Sequence, residues 1–229
     1  MLNEHIASQI YANFAFAPTL GQKKIIEALA SWLSDADTER IFILNGYAGT
    51  GKTSIIAAFV ATLKKLRIKP VMLAPTGRAA KVMARHTGLG ASTIHKKIYR
   101  QKSSADPEPG FSLDFNREKD ACFIVDEASM LSASADAGSP FGSGSLLDDL
   151  FQYVRQGTRC RILFVGDDAQ LPPVGHDRSP ALDPDFMAAY GAVEYGTLDE
   201  VMRQSDDSGI LFNATMVRCM LEALSLIHI

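Results

Sequence analysis

Residues 46–53 read GYAGTGKT, a G-x-x-x-x-G-K-[ST] run that closes on Lys52 and Thr53. These residue types at this spacing can hold a phosphate chain. Gly46, Gly49 and Gly51 have no Cβ, so the backbone can approach oxygen atoms closely and take positive φ. With Tyr47, Ala48 and Thr50 they form one wrap whose N–H groups face an anion at a helix N-terminus. Lys52 suits the β and γ oxygens, and the Thr53 hydroxyl suits a Mg²⁺ ion. Such a site needs a carboxylate at the end of a neighbouring strand, and FIVDEAS supplies Asp126 straight after an apolar run, with Glu127 beside it. Asp126 can enter the magnesium shell, while Glu127 can polarise a water in line with the γ-phosphate, a pairing for hydrolysis. FVGDDAQLPPVG, residues 164–175, ends a third apolar run in two acids and Gln170. A neutral amide with both donor and acceptor can sense the γ-phosphate or the attacking water, and Pro172 and Pro173 stiffen the chain beyond it.

These groups act together only if strands deliver them to one edge. IFILN (41–45), VMLAP (71–75), CFIVD (122–126) and RILFVGD (161–167) are short apolar runs, the pattern of strands buried on both faces of a parallel sheet. Helical patterns follow them: residues 52–66, GRAAKVMARH, and SLLDDLFQYVRQ at 145–156. The expected fold is α/β, a P-loop NTPase three-layer sandwich with a mainly parallel central sheet. Ligands of such sheets bind at the carboxyl ends of the strands, where all three polar runs fall. Residues 2–13 and 19–34 are expected to be helical, the second with Ile25, Ile26, Leu29, Trp32 and Leu33 on one face. Two stretches rich in Gly, Pro, Ser and Asp, 101–120 and 132–145, read as mobile surface loops.

The net charge of −3 over 229 residues conceals an uneven distribution. Residues 40–105 contain thirteen of the 23 Lys and Arg and none of the 26 Asp and Glu. A positive field of that kind favours a polyanionic partner. Hydrophobic residues make up 47% of the chain, enough for one good core, yet no run approaches a membrane span. The N-terminus carries Glu4 and His5 where a secretory signal would be basic and then apolar, so a cytoplasmic location without membrane contact is expected. Cys122, Cys160 and Cys219 are widely spaced, which excludes a CxxC metal or redox motif and leaves them as small buried residues.

GYAGTGKT, APTGRAAKVM, STIHKKIY, FIVDEASM, VGDDAQLPPVG and LDEVMRQ occur in the order and spacing of superfamily 1 DNA helicases, and the chain resembles their RecD-like branch over residues 15–215. The resemblance implies a RecA-like motor domain at 19–215, with 1–18 as an N-terminal helical extension. It implies ATP and Mg²⁺ as cofactors. Gln22 in PTLGQ matches a glutamine that reads the adenine edge; Lys52 and Thr53 match the phosphate and metal ligands; Asp126 matches the metal support, Glu127 the base, and Gln170 the link from γ-phosphate to DNA. Arg203 in VMRQ matches an arginine that reaches the γ-phosphate, the alternative being a surface arginine beside Glu200. Two patches match the single-strand track: Pro75, Thr76, Gly77 and Arg78, and then Thr93, Ile94, His95 and Lys96. His95 is open to either a packed or a base-stacking role, and Tyr99 to either core or stacking.

By the same likeness the full motor needs a second RecA-like domain with its own arginine. The expectation is therefore the N-terminal motor domain of a longer, monomeric, 5′ to 3′ single-stranded DNA translocase. Residues 216–229 then read as an interrupted tail, its LSLIHI similar to translated sequencing-adaptor ends. Two rival classes make different demands: a small-molecule kinase or other P-loop NTPase would be indifferent to DNA, and a non-enzymatic DNA-binding fragment would show no nucleotide linkage.

Overall fold

The computed structural model describes residues 2–15, 17–102, 110–134, 139–173 and 175–200. The strands are β1 (Ile41–Gly46), β2 (Lys69–Ala74), β3 (Ala91–Thr93), β4 (Tyr99–Gln101), β5 (Phe111–Leu113), β6 (Ala121–Val125), β7 (Arg161–Gly166) and β8 (Val193–Leu198), and the four apolar runs form β1, β2, β6 and β7. Six of them form one sheet in the order β3-β2-β6-β7-β1-β8, every pairing parallel. All residues of β1, β6 and β7 are buried, as an interior parallel strand requires.

Period-2 alternation splits each strand between two cores. Phe42 and Leu44 join the layer built by α1 (Leu2–Ala12), α2 (Leu20–Ser34), α3 (Lys52–Lys65) and Met83 of α4 (Gly77–Thr87). Ile41 and Ile43 face the opposite layer, with α5 (Ile94–Ile98), α6 (Leu146–Gln156) and Met187 of α7 (Pro184–Met187). The result is the expected three-layer sandwich. Residues 2–12, set apart by sequence as an extension, bury Ile6, Ala7 and Ile10 in the same core as α2 and α3.

Threonine and serine set the helix starts. Thr19 and Gln22 form a capping box on α2, and Thr76, Thr93 and Ser145 each accept an N–H at the start of α4, α5 and α6. The loop after α2 is held by Arg161, buried at the start of β7, whose guanidinium donates to the carbonyls of Trp32 at 3.1 Å and Asp37 at 3.0 Å.

Two features depart from the sequence reading. The sheet has six strands where four are expected, because edge strands β3 and β8 are short or half exposed and lack a continuous apolar run. The two polar stretches also carry order in their described parts. β5 pairs antiparallel with β4, Phe111 stacks on Phe141 at 4.6 Å, and Asn116, only 1% exposed, donates to the carbonyl of Val154 at 3.3 Å. Composition marks these segments as loops, but their polar groups find partners across the fold. Cys122 and Cys160 are buried, as expected, and Cys219 lies outside the described residues. Among the described residues no His, Cys, Asp and Glu cluster has metal-holding geometry, and no helix is long and apolar enough to cross a membrane.

Candidate nucleotide site and nucleic-acid face

β1 runs into the glycine loop and α3 starts at Lys52, so the loop and the helix N-terminus form one anion-facing wrap. Gly49 and Gly51 have φ of 86° and 92°, values that favour glycine. Gly46 is needed for a different reason: a Cβ there would lie 2.8 Å from the Leu198 carbonyl oxygen and 2.9 Å from its Cβ on β8. Both contacts belong to a packed strand that cannot swing aside. Gly46→Ala should therefore destabilise the fold by about 1–3 kcal/mol and lower the melting temperature by about 2–4 °C per kcal/mol; an unchanged calorimetric melt would contradict this packing.

Inside the loop, the Thr50 hydroxyl donates to the Tyr47 carbonyl at 2.8 Å. Lys52 donates through Nζ to the carbonyls of Gly46 and Tyr47, which holds the ammonium against the loop. Thr53 is exposed on the first helical turn. Gln22 departs from the role expected of it. It is 2% exposed, its Nε2 donates to the Thr50 carbonyl at 3.1 Å, and its Oε1 accepts from the Thr19 N–H at 3.1 Å. This amide braces the phosphate loop from α2 and is not free to read a base edge in this conformation.

Asp126 follows β6, its N–H bonded to the Leu73 carbonyl at 2.9 Å. Burial pushes its carboxyl above the usual range; the Glu127 N–H at 3.0 Å opposes this, the Glu127 charge adds to it, and Lys52 and His86 draw it down. A half-buried carboxyl beside a lysine and a phosphate loop fits a divalent cation, whose charge would hold it ionised. Glu127 has φ 55° and ψ 39°, the left-handed region, at a cost of about 1–3 kcal/mol for a non-glycine residue. That backbone turn redirects the chain after β6 and lifts the Glu127 side chain out of strand alternation.

β7 lies between β6 and β1 in the sheet, so its terminal turn stands between the carboxylates and the phosphate loop. Gln170 is exposed there, and its Oε1 accepts from the Ser129 hydroxyl at 3.0 Å. Asn45, at the end of β1, accepts the Asp168 N–H at 3.1 Å and donates to the Tyr195 hydroxyl at 3.0 Å. Sequence reasoning passed over both Asn45 and Ser129. The signal for Asn45 was a polar residue inside an apolar run, IFILN, since a buried polar group needs a reason.

The second group of expected residues follows β2 and β3, neighbouring strands that pair Ala74 with Thr93. Pro75, Thr76, Gly77 and Arg78 leave β2 at the same sheet edge as the phosphate loop, and Thr93 and Lys96 leave β3 beside them. Ile94 is a correction: it is fully buried, so its side chain belongs to the core and contacts there fall to its neighbours. His95 packs between rings, 4.9 Å from Phe141 and 5.7 Å from Tyr99, and burial pushes its imidazolium below the ordinary range. Tyr99 is core, its hydroxyl donating to the buried Asp149 at 2.6 Å.

The tertiary structure also sorts the cations of the acid-free segment. Glu118 takes Lys69 at 2.6 Å and Lys97 at 2.9 Å, and Arg40 is claimed by Asp35 and Glu194. Arg78, Lys81, Arg85 and Lys96 are exposed and form no ion pair among the described residues. Lys64, Lys65 and Arg67, around the end of α3, are likewise exposed without an ion pair among the described residues, but only the first four follow β2 and β3, where an external polyanion would meet the expected residues. Arg203, the one site expectation beyond β8, lies outside the described residues.

A family model described as an AAA domain matches residues 19–218. The chain is 31% identical over 163 residues to the ATP-dependent RecD2 DNA helicase of Deinococcus radiodurans, covering 69% of this chain and 19% of that protein. It is 28% identical over 205 residues to the RecBCD enzyme subunit RecD of Mycolicibacterium smegmatis, covering 77% of this chain and 33% of that subunit. The chain therefore spans a third or less of the length of these curated relatives. Its fold resembles the crystal structure of Pif1 helicase from Candida albicans, with a TM-score of 0.51 at 20% identity over 84% of this chain and 42% of that one.

Proposed function

Because the chain belongs to the AAA domain family, matched over residues 19–218, we propose that it is the N-terminal ATPase domain of an ATP-dependent DNA helicase of the RecD-like kind. The observation that carries this reading is the sheet order. β6, β7 and β1 are adjacent, so Asp126, Gln170 and the glycine loop meet at one edge, while β2 and β3 continue that edge into an exposed basic face. A nucleotide site and a polyanion face on one rigid sheet are what a nucleotide-driven DNA motor requires.

Bound Mg·ATP supplies the scissile phosphoanhydride and a cation that offsets its charge. The loop from Gly46 to Gly51 binds the phosphates through N–H groups, and Lys52 leaves the carbonyls of Gly46 and Tyr47 to face the β and γ oxygens. Thr53 and Asp126 would hold the cation. Glu127 takes a proton from the attacking water as the water oxygen bonds to the γ-phosphorus and the β–γ bridging bond breaks, releasing ADP and phosphate, and Gln170 contacts the γ-phosphate and turns its presence into a change at the neighbouring DNA face. Arg203 would spread charge off the transition state, and a second RecA-like domain of the full-length protein would complete the cleft. Single-stranded DNA lies across Pro75–Arg78 and Thr93–Lys96 in this reading, movement runs 5′ to 3′, and the protein acts in the cytoplasm as a monomer in DNA repair, recombination or replication.

The test is steady-state ATP hydrolysis with and without a single-stranded oligonucleotide, at low and moderate salt. Stimulation that fades with salt is the expected result, because phosphate contacts by Arg78, Lys81, Arg85 and Lys96 release counterions. Hydrolysis indifferent to DNA in the full-length protein would replace this reading with a kinase-like P-loop enzyme.

A further inference from the structure

The turn after β7 is fastened from both neighbouring strands, which an ordinary surface turn does not need. Within the turn, the Asp167 carboxylate accepts the Ala169 N–H at 3.1 Å and its carbonyl accepts the Gln170 N–H at 3.2 Å. From β1, Asn45 accepts the Asp168 N–H at 3.1 Å and is itself fixed by the Tyr195 hydroxyl of β8. From the β6 side, Ser129 donates to Gln170 Oε1 at 3.0 Å. Ser129 is fully buried in the 3-10 turn Ala128–Met130 that Glu127 opens, so its hydroxyl cannot follow a moving side chain. Gln170 is exposed, and this bond ties its amide to a buried, rigid group.

We propose that Ser129 is a positioning residue for phosphate sensing: by tethering the Gln170 amide, on a turn that Asn45 pins to the phosphate-loop strand, it holds that amide in place for the γ-phosphate. An amide held in place loses less freedom on meeting the γ-phosphate than one that must be ordered at each encounter. The same bond joins the turn that carries the base, Glu127, to the turn that carries the sensor, so each reports the position of the other. This rests on the ATPase reading above, and it adds the residue that orients the sensor.

The test has two readouts. The first is NMR relaxation of the Gln170 side-chain amide in the nucleotide-free chain, which needs no activity: it is expected to be ordered in the wild type and mobile in Ser129→Ala. The second is a kinetic double-mutant cycle with Gln170→Ala. Misplacing a group by about 1 Å can cost about 100-fold in rate, so loosening an amide that its turn still tethers should lower kcat about tenfold. KM for ATP should stay unchanged, and no further loss should occur once Gln170 is alanine. Where alanine lowers the melting temperature, Ser129→Cys, with a similar volume and a weaker donor, should give an intermediate loss. Equal losses from Ser129→Ala with and without Gln170, or a Gln170 amide equally ordered in wild type and Ser129→Ala, would overturn the proposal. An ordered amide, loosened by Ser129→Ala, together with a full-length protein that does not hydrolyse ATP would overturn the function and leave the positioning standing.

Discussion

Lys52→Ala should abolish measurable Mg·ATP binding while the chain stays folded. The ammonium is the charge that the loop presents, and it already sits against the carbonyls of Gly46 and Tyr47. Removing one member of a desolvated, hydrogen-bonded charge pair costs about 2–5 kcal/mol, or about 30- to 5,000-fold in affinity. Stability should change less, since the side chain is half-buried and the glycine loop is braced independently by Gln22 and Thr50. Isothermal titration with ATP, beside a thermal melt, separates the two effects. ATP affinity within threefold of wild type would remove Lys52 from the phosphate site.

Glu127→Gln should do the opposite, retaining ATP binding and removing turnover. A positioned general base contributes about 10²–10⁴-fold, and the amide keeps the shape of the carboxylate without its basicity. The left-handed backbone at Glu127, φ 55°, makes glutamine the proper substitution, because it carries the same backbone penalty and leaves the 3-10 turn with Ser129 in place. Alanine would change packing and chemistry together. Single-turnover hydrolysis measured with ATP affinity gives the answer: if Glu127→Gln weakened binding as much as Lys52→Ala, the base would have to be sought elsewhere, and Glu127 would count as a metal or phosphate ligand.

The two expectations differ in how they could be read. Lys52 was legible from spacing alone, since a glycine loop between a buried strand and a helix has few other uses. Glu127 was legible only as one of two adjacent acids; the left-handed turn that separates their directions is a backbone fact without a sequence signature. Gln22 shows the limit from the other side. Its place in PTLGQ marked it as important, but the capping box with Thr19 and the bond to Thr50 put it beneath the loop, a role that depends on how α2 packs against β1. Ile94 and Tyr99 sat in a basic, motif-like stretch yet are core, because α5 and the start of β4 turn them into the same layer as α6.

Sequence by itself determined the α/β class, the four interior strands, the phosphate loop and the three polar strand ends. These are local: residue type, period and spacing act within a dozen residues, and continuous apolar runs have one good use in a parallel sheet. Tertiary structure alone decided which strands adjoin, so that β7 stands between the carboxylates and the phosphate loop, and which edge strands complete the sheet. It alone chose which cations Glu118 and its neighbours neutralise and which remain for a polyanion, and it alone brought Ser129 and Asn45 to the Gln170 turn across 41 and 123 residues of chain. Hydrogen bonds and ion pairs between such distant groups depend on distances of a few ångströms in space, which residue order along the chain does not encode in any local pattern.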